Sequence, residues 1–209
     1  MNTDIKSSSS VTSRRAVVTR QTRETKIHVQ LDLDGTGQSE IKTSIGFLDH
    51  MLDQFAHYGG IDLIVHAQGD LHIDDHHTTE DIGIVIGQAF DQALGDRCGI
   101  MRFGTAYVPM DEALSRVVID LSGRPYLAWN VTITKEYLGT LSSDLIREWF
   151  QGVTNHLRAA IHVECLYGIN DHHIVESCYK GFALALRNAI LIDSRMASRI
   201  PSTKGTLVK

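Results

Sequence analysis

At 209 residues, with 43% hydrophobic and 22% charged residues, the chain has the composition of an ordinary globular protein able to bury a substantial core. Its formal net charge of −5 argues against a nucleic-acid binder, which normally carries a basic face. The three cysteines, Cys98, Cys165 and Cys178, form no CxxC pair, and neither a signal-peptide core nor a run near the ~20 apolar residues of a membrane span occurs, so a reducing, cytoplasmic setting is expected.

Residues 1–13, with serines from Ser7 to Ser10, read as a disordered leader. Ile27, Val29, Leu31 and Leu33 recur at period two and predict a half-buried strand. Asp34-Gly35-Thr36-Gly37 supplies turn chemistry before another short strand. Phe47, Leu48, Met51, Leu52 and Phe55 follow helical spacing over 47–58, and Gly59-Gly60 stops that helix. A strand over 61–67 follows. From Ile82 through Val85, Ile86, Ala89, Ala93 and Leu94 one helical face runs to a stop at Gly95.

The pattern then returns. Residues 145–157 read as the counterpart of the first helix, and 160–166 as the counterpart of the strand after it. Cys178, Phe182, Ala185, Leu186, Ala189 and Ile190 trace a second long helical face. Two half-repeats, 14–98 and 99–193, are expected to give strands, a helix, a strand and a long helix each, with a tail over 194–209. Such α+β halves must bury their helices against a sheet or against each other.

Each long helix opens on the same motif: Asp75-His76-His77-Thr78-Thr79-Glu80, and 96 residues later Asp171-His172-His173-Ile174-Val175-Glu176. Composition alone predicts roughly 0.02 occurrences of His-His-x-x-Glu in such a chain. On a helix, residues four apart lie about 40° apart and residues three apart about 60°, so each glutamate neighbours both histidines of its motif. Adjacent histidines differ by about 100°, so one motif can serve two separate metal ions. Two donors per ion are too few, and other histidines must complete each sphere. Six N/O donors suit manganese, iron or nickel, whereas a closed set of four would suit zinc. The plainer alternative, in which Asp75 and Asp171 cap helices and the histidines are surface polarity, explains one copy better than two.

The runs Gly46-Phe47-Leu48-Asp49-His50-Met51-Leu52-Asp53-Gln54, Gly69-Asp70-Leu71-His72-Ile73-Asp74 and Asn170-Asp171-His172-His173 closely resemble imidazoleglycerol-phosphate dehydratases, enzymes of histidine biosynthesis. The resemblance runs from about Arg14 to Ser202-Thr203-Lys204-Gly205. It implies an α+β fold of two duplicated half-domains, similar to the second domain of ribosomal protein S5, with helices packed between two mixed sheets. It also implies a homo-oligomer of 24 subunits with active sites between subunits, and two Mn2+ ions per site. By that resemblance one ion would take His76, His162, His172 and Glu176, and the other His50, His77, Glu80 and His173. Duplication by itself would nominate His66 in place of His50, because His66 and His162 each lie ten residues before a motif. The resemblance decides for His50. His28, His72 and His156 carry structural readings.

A phosphorylated substrate needs cationic donors, and arginine's fork fits phosphate oxygens bidentately. The resemblance assigns this grip to Arg102 and Arg124, joined by Lys180, Ser202 and Lys204, and has His50, Gln54 and His57 touching substrate. The tail would close over the site as a lid. The implied reaction is loss of water from D-erythro-imidazoleglycerol phosphate through a metal-bound imidazolate, giving imidazole acetol phosphate. Glu24 and Asp111 are the expected acid/base groups, with Glu176 also at the reacting centre. The alternatives from other classes are a dinuclear metallohydrolase of phosphate esters and a metal-storage shell.

Overall fold

The computed structural model describes residues 13–207, so the expected leader lies outside the described residues but for Ser13. Strands β1 (Arg15–Gln21) and β2 (Thr25–Asp32) form an antiparallel hairpin. Ile27, Val29 and Leu31 turn inward while Lys26 and Gln30 face solvent, the period-two alternation of a sheet with one buried face. Then come β3 (Ser39–Lys42), α1 (Gly46–Gly59), β4 (Asp62–Gly69) and α2 (His76–Leu94). The second half supplies β5 (Phe103–Met110), β6 (Ala113–Asp120), β7 (Tyr126–Asn130), α3 (Leu145–Leu157), β10 (Ala160–Tyr167) and α4 (Asp171–Ile190). A small hairpin of β8 (Tyr137–Leu138) and β9 (Leu141–Ser142) precedes α3.

The sheets repeat one topology, β1-β2-β4-β3 and β5-β6-β10-β7, in which the last-named strand runs parallel to its neighbour and the other pairs are antiparallel. Each long helix covers its own sheet, α2 on β1 and β2, and α4 on β5 and β6. Each shorter helix crosses to the other half: α1 packs on α4, and α3 on α2. Helices therefore fill the space between two mixed sheets, as expected. At their centre Phe55 stacks on Phe182 at 5.2 Å, and Trp149 packs on Tyr179 at 4.7 Å. Among the described residues no helix is long and apolar enough to cross a membrane.

The α2–α3 crossing is close because its contact positions are glycines. A Cβ at Gly83 would lie 2.5 Å from the Trp149 carbonyl oxygen, and one at Gly152 would lie 3.0 Å from the Glu80 carbonyl oxygen. The first turn of α2, with His76, His77 and Glu80, is thus seated against α3. Arg97, 3% exposed, closes the other end. Its guanidinium donates to the Leu157 and Arg158 carbonyls, which the end of α3 leaves open, and to the Leu121 carbonyl after β6 and Asp91 on α2.

Strand register corrects the duplication argument. Asp62 pairs with Asp32, and Ala160 with Asp120, at matching ends of the two hairpins. The left-handed caps Gly60 and Arg158 stand in the same relation to those strands. Glu164 is therefore the counterpart of His66, and Ile64 that of His162. The connection from strand to motif is two residues shorter in the second half, which is why equal linear spacing misleads. His66 faces outward, its Nε2 3.0 Å from Glu40 Oε1, as expected for a strand histidine on the solvent side.

Candidate functional site

Neither motif aspartate caps its own helix. The N-terminal amides of α2 and α4 are met one residue earlier, where Asp74 accepts from the His76 N–H and Asn170 from the His172 N–H, at 2.9 and 3.0 Å. Asp75 instead accepts from the Ser142 N–H at 2.8 Å, and Asp171 from the Thr134 hydroxyl and the Lys135 N–H, both at 2.8 Å. Asp75 thus braces the start of α2 against the β8–β9 hairpin, and Asp171 braces that of α4 against the loop after β7. Burial alone would raise the Asp171 pKa, but the donors from Thr134 and Lys135 outweigh it and hold the carboxyl below its ordinary value. That stability is present above the unfolded pKa near 3.8 and is lost as pH falls through the lower folded value. Asp171→Ala is accordingly expected to cost about 2 kcal/mol at neutral pH. Chemical denaturation of both proteins at pH 7 and near pH 2 should show that gap closing in acid.

Because α1 crosses α4 near its start, His50 meets the second motif. The Nε2 atoms of His50 and His172 lie 3.2 and 3.0 Å from the same oxygen of Glu176, and these three donors all fall within 4.8 Å of one another. Among the described residues this is the one group of three or more such ligands within reach of a single ion. Two imidazoles and a carboxylate are a donor set that divalent cations accept. Within one chain His50 thus groups with His172 and Glu176, whereas the resemblance, which builds each site from several subunits, assigned His50 to the other ion. Glu176 is buried, and its other oxygen accepts from Lys180 at 2.6 Å. Burial opposes its ionisation, but Lys180, His172 and His50 together lower its pKa below the usual glutamate value.

The first motif lies more open. His76 Nε2 stands 3.7 Å from Glu80, and both side chains are almost half exposed. In each motif the two rings are near-perpendicular, at 77° for His76 and His77 and 80° for His172 and His173, so each doublet points in two directions. His77 donates through Nδ1 to Asp70 at 3.0 Å, and its Nε2 lies 4.0 Å from Glu24. His173 repeats this frame, with Nδ1 2.7 Å from Glu112 and Nε2 3.9 Å from Asp111. The bonds to Asp70 and Glu112 raise both histidine pKa values, and the His173 bond with the Asn170 amide holds Glu112 down to about 2. Glu24 and Asp111, both exposed, sit on the β1–β2 and β5–β6 turns. The first turn is tied to α2 where Asp81 accepts from Arg20 and from the Thr25 hydroxyl. The second is tied to α4 by Ser115 and Ser177 at 2.6 Å.

Other expected residues stand apart. His162 lies on the outer face of β10, because Ile161 and Val163 take the inward positions, and it faces Tyr126 with ring centroids 6.0 Å apart. It is removed from the set with His76, His172 and Glu176 within one chain. Arg102 is no free fork: it grips both oxygens of Asp120 and donates to the Pro201 carbonyl at 2.9 Å, holding the tail that carries Ser202 and Lys204. Lys180 is likewise committed to Glu176. Arg124 is exposed and has no side-chain hydrogen bond or ion pair among the described residues. Gln54 and His57 lie on the accessible side of α1, His57 packed edge-on to Tyr58. Asp70, Asp81 and Glu112 went unnoticed in the sequence. Adjacency to Asp111 was the available signal for Glu112, and membership of the Gly69–Asp74 run the signal for Asp70.

Comparison with known proteins shows the family and the fold. Residues 43–186 match the family described as imidazoleglycerol-phosphate dehydratase. The dehydratase of Magnetococcus marinus is 56% identical over 195 residues, spanning 93% of this chain and 98% of the relative. That of Azoarcus sp. is 57% identical over 194 residues, covering 93% and 100%. The crystal structure of the Staphylococcus aureus enzyme superposes with a TM-score of 0.78 at 40% identity, covering 86% of this chain and 99% of that one. The Pyrococcus furiosus structure gives 0.76 at 40% identity, covering 91% and 100%. Fold and relatives place the chain in the class of hydro-lyases. It belongs to the imidazoleglycerol-phosphate dehydratase family.

Proposed function

We propose that the chain catalyses the metal-dependent dehydration of D-erythro-imidazoleglycerol phosphate to imidazole acetol phosphate and water in histidine biosynthesis, using two divalent cations, taken as Mn2+. The observation that carries the metal dependence is the convergence of His50, His172 and Glu176 on one point. His76 with Glu80 forms a second, smaller half-set. His77 and His173 turn their Nε2 atoms away from these, and in this reading they complete the half-sets of neighbouring copies. That arrangement calls for a homo-oligomer with sites between subunits, taken as a 24-mer. Large apolar side chains left exposed on the outer strands, such as Phe103 at 59% and Tyr126 at 63%, support burial of that sheet against another copy.

Within this frame the chain's own groups divide the work. Glu176 stays ionised because Lys180 faces it, so it is ready as an anionic donor without first losing a proton. Arg124, with Ser202 and Lys204 from the tail, supplies the phosphate grip, and Arg102 positions that tail through Pro201. Glu24 and Asp111 stand on exposed turns beside the outward histidines, where each can hold or move a proton at a carboxylate oxygen. The bound cations would supply Lewis-acid polarisation of the substrate's imidazole, the lever that makes an otherwise unactivated C–H removable.

Incubation of the manganese-loaded assembly with imidazoleglycerol phosphate should give imidazole acetol phosphate, whose enol absorbs in the ultraviolet, with no inorganic phosphate. Metal-stripped protein should be inactive and recover on adding Mn2+. Phosphate release in place of the enol would support the metallohydrolase alternative and refute this reading.

A further inference from the structure

His77 and His173 share a local frame built from carboxylates at non-equivalent positions of the two halves. In both, Nδ1 meets a carboxylate, and Nε2 is left facing outward. Yet the carboxylates come from unrelated places. Asp70 lies in the loop after β4, whereas Glu112 lies on the β5–β6 turn. Strand register makes Glu24 the first-half counterpart of Glu112, and Glu24 faces Nε2, not Nδ1. The two halves therefore make the same ring pairing with carboxylates at non-equivalent positions.

A carboxylate can only accept, so a carboxylate at Nδ1 fixes the proton there and leaves the Nε2 lone pair free. Metal-bound histidines are oriented by such outer carboxylates as a rule, and losing one typically costs 10–100-fold in metal affinity. Glu112 is itself held in place, accepting from the Asn170 and Ile169 amides at 2.7 and 3.2 Å.

We infer that Asp70 and Glu112 are positioning residues that set the tautomer and aim of His77 and His173, so that each presents Nε2 to a divalent cation. The inference rests on the metal reading above and adds which residues outside the ligand set control it. Neither carboxylate is a ligand in this account, and neither touches substrate.

The test titrates Mn2+ into the intact metal-stripped assembly and counts free ion by electron paramagnetic resonance. Asp70→Ala and Glu112→Ala should each weaken one of the two binding steps by about 10–100-fold and leave the other unchanged. Asp70→Asn and Glu112→Gln keep an acceptor oxygen and should recover part of the loss, which a purely structural role would not require. Because Glu112→Ala can also loosen the loop before α4, a second measurement uses the unaltered chain. Nitrogen-15 NMR of its labelled histidines, assigned with His77→Gln and His173→Gln, should show both rings protonated at Nδ1. Wild-type affinity in the alanine variants, or Nε2–H rings at both positions, would overturn the inference. Failure of the unaltered protein to bind Mn2+ would be seen before any variant is compared, and would overturn the metal reading itself.

Discussion

Glu176→Gln is expected to lower kcat/KM by about 10³-fold or more and to reduce the metal content of the purified assembly. Several kcal/mol of metal-borne stabilisation is at stake, and each 1.36 kcal/mol is tenfold in rate. Glutamine keeps the volume and one acceptor oxygen, so packing around α4 is little disturbed. What disappears is the one anionic donor of the cluster with His50 and His172, together with the counter-charge of Lys180. A half-buried ammonium left without its partner adds a stability loss, which thermal unfolding of the metal-free proteins separates from the kinetic effect. His66→Ala serves as the control. It removes a histidine at the same linear distance from its motif, but one that bonds Glu40 on the outer sheet face, and it should leave metal content and rate unchanged. Equal losses in both variants would contradict the assignment.

Gly83→Ala should destabilise the protein by about 3 kcal/mol, a large effect for one methyl group. The added Cβ would meet the Trp149 carbonyl oxygen at 2.5 Å, and two helix backbones, not a flexible side chain, would have to part. Glu80 lies one turn away on α2, so this separation also moves His76 and Glu80, and activity should fall even where the variant folds. Gly59→Ala is the matching control. Its nearest neighbour would be the Ile61 side chain at 3.5 Å, an ordinary contact, and the change should be neutral or slightly stabilising. Urea denaturation of the three proteins measures both expectations.

The helices were legible because their apolar residues recur at helical spacing and face one core. The 145–157 segment matches α3 in extent, and α2 ends at Gly95 as expected. The doublets marked the site for a chemical reason, since a histidine and the glutamate four residues on share one helix face, as His172 and Glu176 do at 3.0 Å. That His50 comes to the second motif was not legible. His50 meets Glu176 across 126 positions through the α1–α4 crossing, a fact of packing that linear spacing does not contain. The resemblance counted His162 among the ligands, and within one chain the period-two rule places that ring on the outer face of β10, apart from His76, His172 and Glu176. The resemblance gave Arg102 to the phosphate, and nothing in the sequence showed that Asp120, 18 residues away, would occupy its fork.

The central claim is that one ion is held jointly by α1 and α4. The most direct test is anomalous scattering from crystals of the manganese-loaded assembly, measured on both sides of the manganese edge. A peak is expected about 2.0–2.3 Å from His50 Nε2, His172 Nε2 and a Glu176 oxygen. A peak that omits His50 and takes His162, or no peak near Glu176, would contradict it.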